Sequence, residues 1–179
     1  MRNYLVLSLL ISLSFLSFAQ KKHIKLTNGL VVAQMDRPEE KFTLEINLSE
    51  LFAGENIHVI PSLNILKQGE NPSALASDSI KHVLKSKEID TYILVSVRGF
   101  EKKFRPSTTF ESLQNELASS HLFPLFRDEI TSITFEFTIY RNDEVIANEL
   151  LRLKGVESKD KVMKKLRKKL PKLIAKWKV

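Results

Sequence analysis

Two clusters of cationic side chains have the types and spacing to do chemistry in this sequence, and that chemistry is anion binding. From residue 157 to the end stand Lys159, Lys161, Lys164, Lys165, Arg167, Lys168, Lys169, Lys172, Lys176 and Lys178, opposed by Glu157 and Asp160. The whole chain of 179 residues has a net charge of +7, of which this segment carries +8, so residues 1–156 sum to −1. The body is nearly neutral and the last segment is basic. On a helical wheel Val162, Met163, Leu166, Leu170, Leu173, Ile174 and Trp177 fall within an arc of about 120°. Nearly every lysine lies outside that arc, Lys159 in the first turn being the exception. Pro171 projects from the polar side, and the apolar phase runs on unbroken to Trp177. The pattern predicts one kinked basic amphipathic helix over 157–177.

Two readings of that helix stay open. Its apolar arc can pack on a sheet as the last layer of the domain, leaving the lysines as a solvated face. Alternatively it lies on an anionic surface, with Trp177 at the interface and Lys164, Lys165, Lys168, Lys169, Lys172 and Lys176 on phosphates. A membrane, lipopolysaccharide or an acidic envelope protein would serve as that surface. The second cluster, Arg98-Gly99-Phe100-Glu101-Lys102-Lys103-Phe104-Arg105-Pro106, follows an apolar strand and precedes a capped helix. Arg98, Lys102, Lys103 and Arg105 could hold a small anionic ligand or lipid there, beyond a strand's carboxyl end. Phe100 and Phe104 either offer stacking surfaces or fold back into the core.

Other chemistries lack a recognisable motif, although dispersed Ser, His and Asp residues or paired carboxylates would leave none in the sequence. There is no cysteine, which excludes disulfide frameworks, thiolate metal sites and cysteine nucleophiles. Gly29, Gly54, Gly69, Gly99 and Gly155 are too scattered for a phosphate-cradling loop or a dinucleotide fingerprint. His23, His58, His82 and His121 begin no metalloprotease motif, and the Asp78/His82 pair has no identifiable third ligand. No G-x-S-x-G elbow is present. No catalytic residue, cofactor or metal is therefore expected.

The first nineteen residues give the expected compartment. Arg2 precedes an apolar run from Tyr4 to Phe18, and Ser17-Phe18-Ala19 supplies the small residues a signal peptidase needs. The run is shorter than the roughly 20 residues of a membrane-spanning helix, and it resembles bacterial export signals. Residues 1–19 are thus expected to be a signal peptide, and the protein periplasmic or secreted. Without a cysteine, diacylglycerol anchoring as a lipoprotein is not expected. Export removes nucleic acid from the partners that the charge would suggest.

The remaining elements must position these clusters. Residues 20–41 read as an N-terminal arm or a short hairpin about Asn28-Gly29, and residues 42–179 as a single domain. Phe42, Leu44, Ile46 and Leu48 alternate like a half-buried strand. Ser77 or Asp78 caps a helix bearing Ile80, Val83 and Leu84. Tyr92–Val97 is apolar on both parities, as in a strand covered on both sides. Thr108-x-x-Glu111 forms a capping box, predicting a helix with Phe110, Leu113 and Leu117 buried. Ile133, Phe135, Phe137 and Ile139 alternate cleanly, and a turn at Arg141–Glu144 returns a strand that ends at Gly155.

The fold class is α+β. A two-layer sandwich is expected, with a mixed sheet of about four strands, a strand–helix–strand crossover, a C-terminal hairpin and the basic helix. The preferred functional reading is an exported, non-enzymatic interaction or envelope-associated accessory protein. A carrier of a small anionic ligand through the 98–106 loop and an exported hydrolase with dispersed catalytic residues are the alternatives.

Overall fold

The computed structural model describes residues 24–67, 69–120 and 122–178. The expected signal peptide, and the arm as far as residue 23, lie outside the described residues. In chain order the elements are β1 (Asn28–Gln34), α1 (Pro38–Ala53), β2 (His58–Pro61), α2 (Asp78–Ser86), β3 (Thr91–Phe100), α3 (Leu113–Leu117), β4 (Ser132–Arg141), β5 (Glu144–Lys154) and α4 (Lys159–Ile174). The fold is α+β, with one mixed five-stranded sheet in the order β2-β1-β3-β4-β5. The three strands β2, β1 and β3 run parallel, while β4 is antiparallel to β3 and β5 to β4.

Residues 28–34 are neither an arm nor one half of a hairpin. They form a strand paired on both sides, Leu30 facing Tyr92 in β3 and Ile60 in β2. Leu30 and Val32 face one side of the sheet, and Val31 and Ala33 the other; all four are buried. An apolar run on both parities is what a central strand requires. Asn28-Gly29 makes no turn, since Gly29 packs against the Thr91 carbonyl.

The alternation at Phe42–Leu48 likewise belongs to a helix and not to a strand. Pro38 sits in the first turn of α1, and Glu39 and Glu40 follow it there, where a helix N-terminus favours proline and acids. Leu44, Leu48 and Phe52 recur every four residues and are fully buried, while Phe42 is 55% exposed. The helical period is hidden because the buried stripe also contains Glu40, Glu45 and Asn47.

The capping box at Thr108 does not form either. Ser112 caps α3 instead, accepting from the Asn115 N–H at 3.3 Å. Residues 107–111 lie along β4, where the Ser107 hydroxyl donates to Glu136 and Tyr140 donates to the Glu111 carbonyl. Leu113 and Leu117 are buried as expected, whereas Phe110 is exposed. In α2, Leu84 is buried, Ile80 is half-buried and Val83 faces solvent.

The two faces of the sheet carry separate cores. One holds Val31, Ile93, Val95, Phe135, Phe137 and Ile139 under α1 and α4. On the other, Leu30, Val32, Tyr92, Leu94 and Tyr140 meet Leu84 of α2 and Leu113 and Leu117 of α3. The β4–β5 hairpin turns through Asn142 and Asp143, both at positive φ (52° and 64°), the geometry of a two-residue type I′ turn. Trp177 is 1% exposed and stacks on Phe52 at 6.0 Å, with Phe137 at 5.7 Å.

Candidate functional site

The C-terminal helix begins at Ser158, whose hydroxyl accepts from the Lys161 N–H at 3.2 Å. Its apolar arc is wholly consumed by the core: Val162, Met163, Leu166, Leu170, Leu173 and Ile174 are buried, as is Trp177 just beyond the helix. Trp177 is thus not available to an interface. Pro171 is accommodated inside α4 and is half-buried.

The cations divide by their partners. Lys159 pairs with the buried Glu40, whose other oxygen accepts from the Leu125 N–H at 2.6 Å. Arg167 donates to Asn47 of α1 at 2.9 Å. Lys161 pairs with Glu157, and the bond holds that carboxyl below the usual carboxylate range. Lys178 lies 3.8 Å from Glu55. These residues fasten the helix to its surroundings.

A different set turns toward β5. A groove of about 330 Å³ lies between strand and helix, lined by Lys154, Lys165, Lys168, Lys169 and Lys172. The Lys165 ammonium donates to the Lys154 carbonyl, and Lys169 donates to the Arg152 carbonyl at 3.1 Å. Lys168 and Lys172 are exposed and make no ion pair among the described residues. Five ammonium groups with no lining carboxylate repel one another, and an anion entering the groove relieves that repulsion. Four of the six helix lysines singled out by the sequence line this groove; Lys164 and Lys176 are exposed outside it. Lys154 was missed. Its only signal is its place at the end of the return strand, beside Gly155.

The second basic cluster is dispersed. Arg98 lies within β3 and pairs with Glu136 at 3.5 Å, while Lys102, Lys103 and Arg105 are exposed on the following loop. Glu136 also accepts from Ser107 at 3.1 Å and from Asn148 at 2.9 Å. Nearby Glu116 has its carboxyl pushed up, first by burial and then by Glu136 and Glu111, with Arg98 opposing. Glu101, at φ 59°, accepts from the Ser132 N–H at 2.9 Å and also from Thr131. Those backbone bonds hold its carboxyl below the usual range.

The phenylalanines fold back. Phe100 meets Phe123 edge to face at 6.0 Å, with the Arg127 guanidinium 5.1 Å from its ring centre. Phe104 packs on Gly99. A side chain there would place its Cβ 2.5 Å from the Phe104 ring, and Gly99 has φ 148°. Gly99→Ala is expected to cost about 1–3 kcal/mol through that overpacking, measured by urea unfolding. An unchanged midpoint would show that Phe104 does not rest there. The polar network about Glu136 was also missed, although Thr134, Glu136 and Thr138 fill the second parity of β4. Polar alternation ordinarily marks a solvent face, but all three are buried.

Elsewhere, a cleft of about 350 Å³ between α2 and the β4–β5 turn contains both Lys81 and Asp143, paired at 2.6 Å. Its charges neutralise each other. Asp78 and His82 are both exposed on α2. Among the described residues no three His, Asp or Glu side chains are grouped to hold a metal ion, and no helix is long and apolar enough to cross a membrane.

Fold and groove together define an α+β chain with a mixed sheet and a lysine-lined cleft along its edge. No protein-family model and no curated protein sequence matches the chain. Among solved structures it is similar to lipoprotein GNA1162 from Neisseria meningitidis, at 9% identity over 83% of this chain and 96% of that one, with a TM-score of 0.47. It is also similar to PelC from Paraburkholderia phytofirmans, a dodecamer. One PelC crystal form gives 9% identity over 84% of this chain and 89% of that one, TM-score 0.45. A second gives 10% identity over 86% and 87%, TM-score 0.44.

Proposed function

We propose that this chain is an exported, non-enzymatic accessory protein of the cell envelope that binds anionic partners through the basic face of α4. The observation that carries the reading is the groove of five lysines with no acid in its lining. Burial of the apolar arc supports electrostatic attachment and opposes insertion into a bilayer, because an inserting helix must release its apolar side. The pattern of residues 1–19 supports export.

The test uses Lys164→Glu, Lys168→Glu and Lys172→Glu combined, three exposed positions outside the core. Each cation near an anionic surface contributes about 1 kcal/mol, so reversal of all three should weaken association at least about 100-fold. Cosedimentation with envelope fragments at low salt reads the loss, and circular dichroism checks that the fold is intact. Equal sedimentation of the folded variant, or recovery of the native protein from the cytosol, would overturn the proposal.

A further inference from the structure

We infer that the groove between β5 and α4 takes an extended acidic peptide, which adds to β5 as a further strand while its carboxylates meet the lysines of α4. This rests on the anion-binding reading above and narrows it to one class of partner. The sheet edge is the first argument. β5 is the outermost strand, 11 residues long, with no neighbour on its outer side among the described residues. The opposite edge, β2, has 4 residues and ends at Pro61; short edges closed by proline are protected from pairing. The carbonyls of Arg152 and Lys154 face outward, since they accept from Lys169 and Lys165 of the helix. Main-chain groups of an antiparallel strand alternate in direction, so those of Leu150 and Asn148 face outward as well. A second polypeptide strand offers N–H and C=O groups at that repeat. A polyphosphate or a layer of lipid headgroups offers the lysines anions but leaves the strand edge unpaired.

The helix supplies the second argument. From Lys165 to Lys169 it advances four residues, about 6 Å. Their partners on the strand step back two, from Lys154 to Arg152, which is about 6.8 Å. α4 therefore runs beside the edge of β5 in the opposite direction, at nearly the strand's own side-chain repeat. Lys168 and Lys172 form a second row at the same interval. Alternate side chains of an added strand fall on that repeat. Lys165 to Lys172 covers about 10 Å of helix axis, and a run of four acids in an extended strand covers about the same. Docking is then an exchange. The partner's N–H groups take over the carbonyls of Arg152 and Lys154, and its carboxylates take over the ammonium groups so released. Lys168 and Lys172, without an ion pair among the described residues, gain one.

The experiment titrates the full mature chain with three probes: hexaglutamate capped at both ends, the same peptide N-methylated at every residue, and polyphosphate. N-methylation keeps the charge and removes every main-chain donor. It is expected to weaken binding at least about 10-fold, the worth of two or three hydrogen bonds. Hydrogen exchange resolved by residue supplies the direct readout. Hexaglutamate should protect the Asn148 and Leu150 amides, and polyphosphate should leave them exchanging as before. Lys168→Gln and Lys172→Gln should each weaken hexaglutamate binding. Lys87→Gln makes the same charge change at an exposed residue after α2 and should leave the affinity unchanged.

Equal binding of the N-methylated peptide overturns strand addition while leaving anion binding in place. So does unaltered exchange at Asn148 and Leu150, the same protection by polyphosphate, or an equal loss with Lys87→Gln. Failure to bind any of the three probes overturns both.

Discussion

Truncation after Val156 is expected to abolish cooperative unfolding, not merely to remove a binding element. The deleted segment supplies Val162, Met163, Leu166, Leu170, Leu173, Ile174 and Trp177, seven of the 28 buried residues of the larger core. Burying an aliphatic or aromatic side chain is worth about 1.5–3 kcal/mol. The loss is then on the order of 10–20 kcal/mol by that scale, against a net stability of about 5–15 kcal/mol for a typical domain. Phe52 and Phe137 would also lose the Trp177 ring they pack against. Thermal unfolding followed by circular dichroism decides it. A sharp, reversible melt from the truncated chain would mean that α4 is an appendage on a self-sufficient body.

The second large effect is expected at Glu45, a fully buried carboxylate on α1. One oxygen accepts from the Ala33 N–H at 2.9 Å and from the Ser62 hydroxyl at 2.7 Å; the other accepts from the Leu63 N–H at 3.3 Å. It ties the helix to the end of β1 and to the turn after β2. Glu45→Ala strands two backbone donors and a hydroxyl, at about 1–3 kcal/mol for each unsatisfied buried group. A destabilisation of about 3–9 kcal/mol is expected by that count, read from urea unfolding.

The same carboxyl should show in the pH dependence. Burial pushes Glu45 above the usual carboxylate range, against the opposing bonds from Ser62 and Ala33 and the charge of Lys41. A raised carboxyl contributes stability that is complete below its unfolded value and is lost as pH rises through the folded one. The advantage of the native protein over Glu45→Gln should therefore be greatest in acid and shrink toward neutrality. An advantage that grew with pH would mean that the bonds to Ala33, Ser62 and Leu63 outweigh burial.

What the sequence made legible follows from how each element is buried. The hairpin was readable because Ile133, Phe135, Phe137 and Ile139 face one core while Arg141–Glu144 spells its own turn. The C-terminal helix was readable because seven apolar residues, Val162 to Trp177, keep one phase for a little over four turns. By contrast, α1 disguised itself: Glu40, Glu45 and Asn47 occupy buried positions that hydropathy assigns to solvent. The central strand β1 was mistaken for one arm of a hairpin because Asn28-Gly29 is a turn signal whenever no neighbouring strand claims it. Tertiary pairing with β2 and β3 does claim it, which no local pattern announces.

The site divides in the same way. The lysines of α4 could be counted and phased from the sequence alone. Their sorting into fasteners and groove-liners could not, because it depends on Glu40 and Asn47 of α1 and on the strand edge. Lys154 joins them only through the packing of β5 beside α4. Arg98 looked like a member of an exposed anion loop, yet Glu136, far along the chain, takes it as a partner.

The Leu26 N–H donates to the Trp177 carbonyl at 2.7 Å, and Arg141 also holds the Ile24 carbonyl. The segment leading into the central strand is thereby joined to the final turn, across almost the whole length of the polypeptide. Such a closure carries the entropy of nearly the longest loop the chain can make, and contacts this distant in sequence slow the approach to the native state. The start of the described chain is therefore held in place by its end, and the native fold cannot close without Trp177, the sequence's single tryptophan.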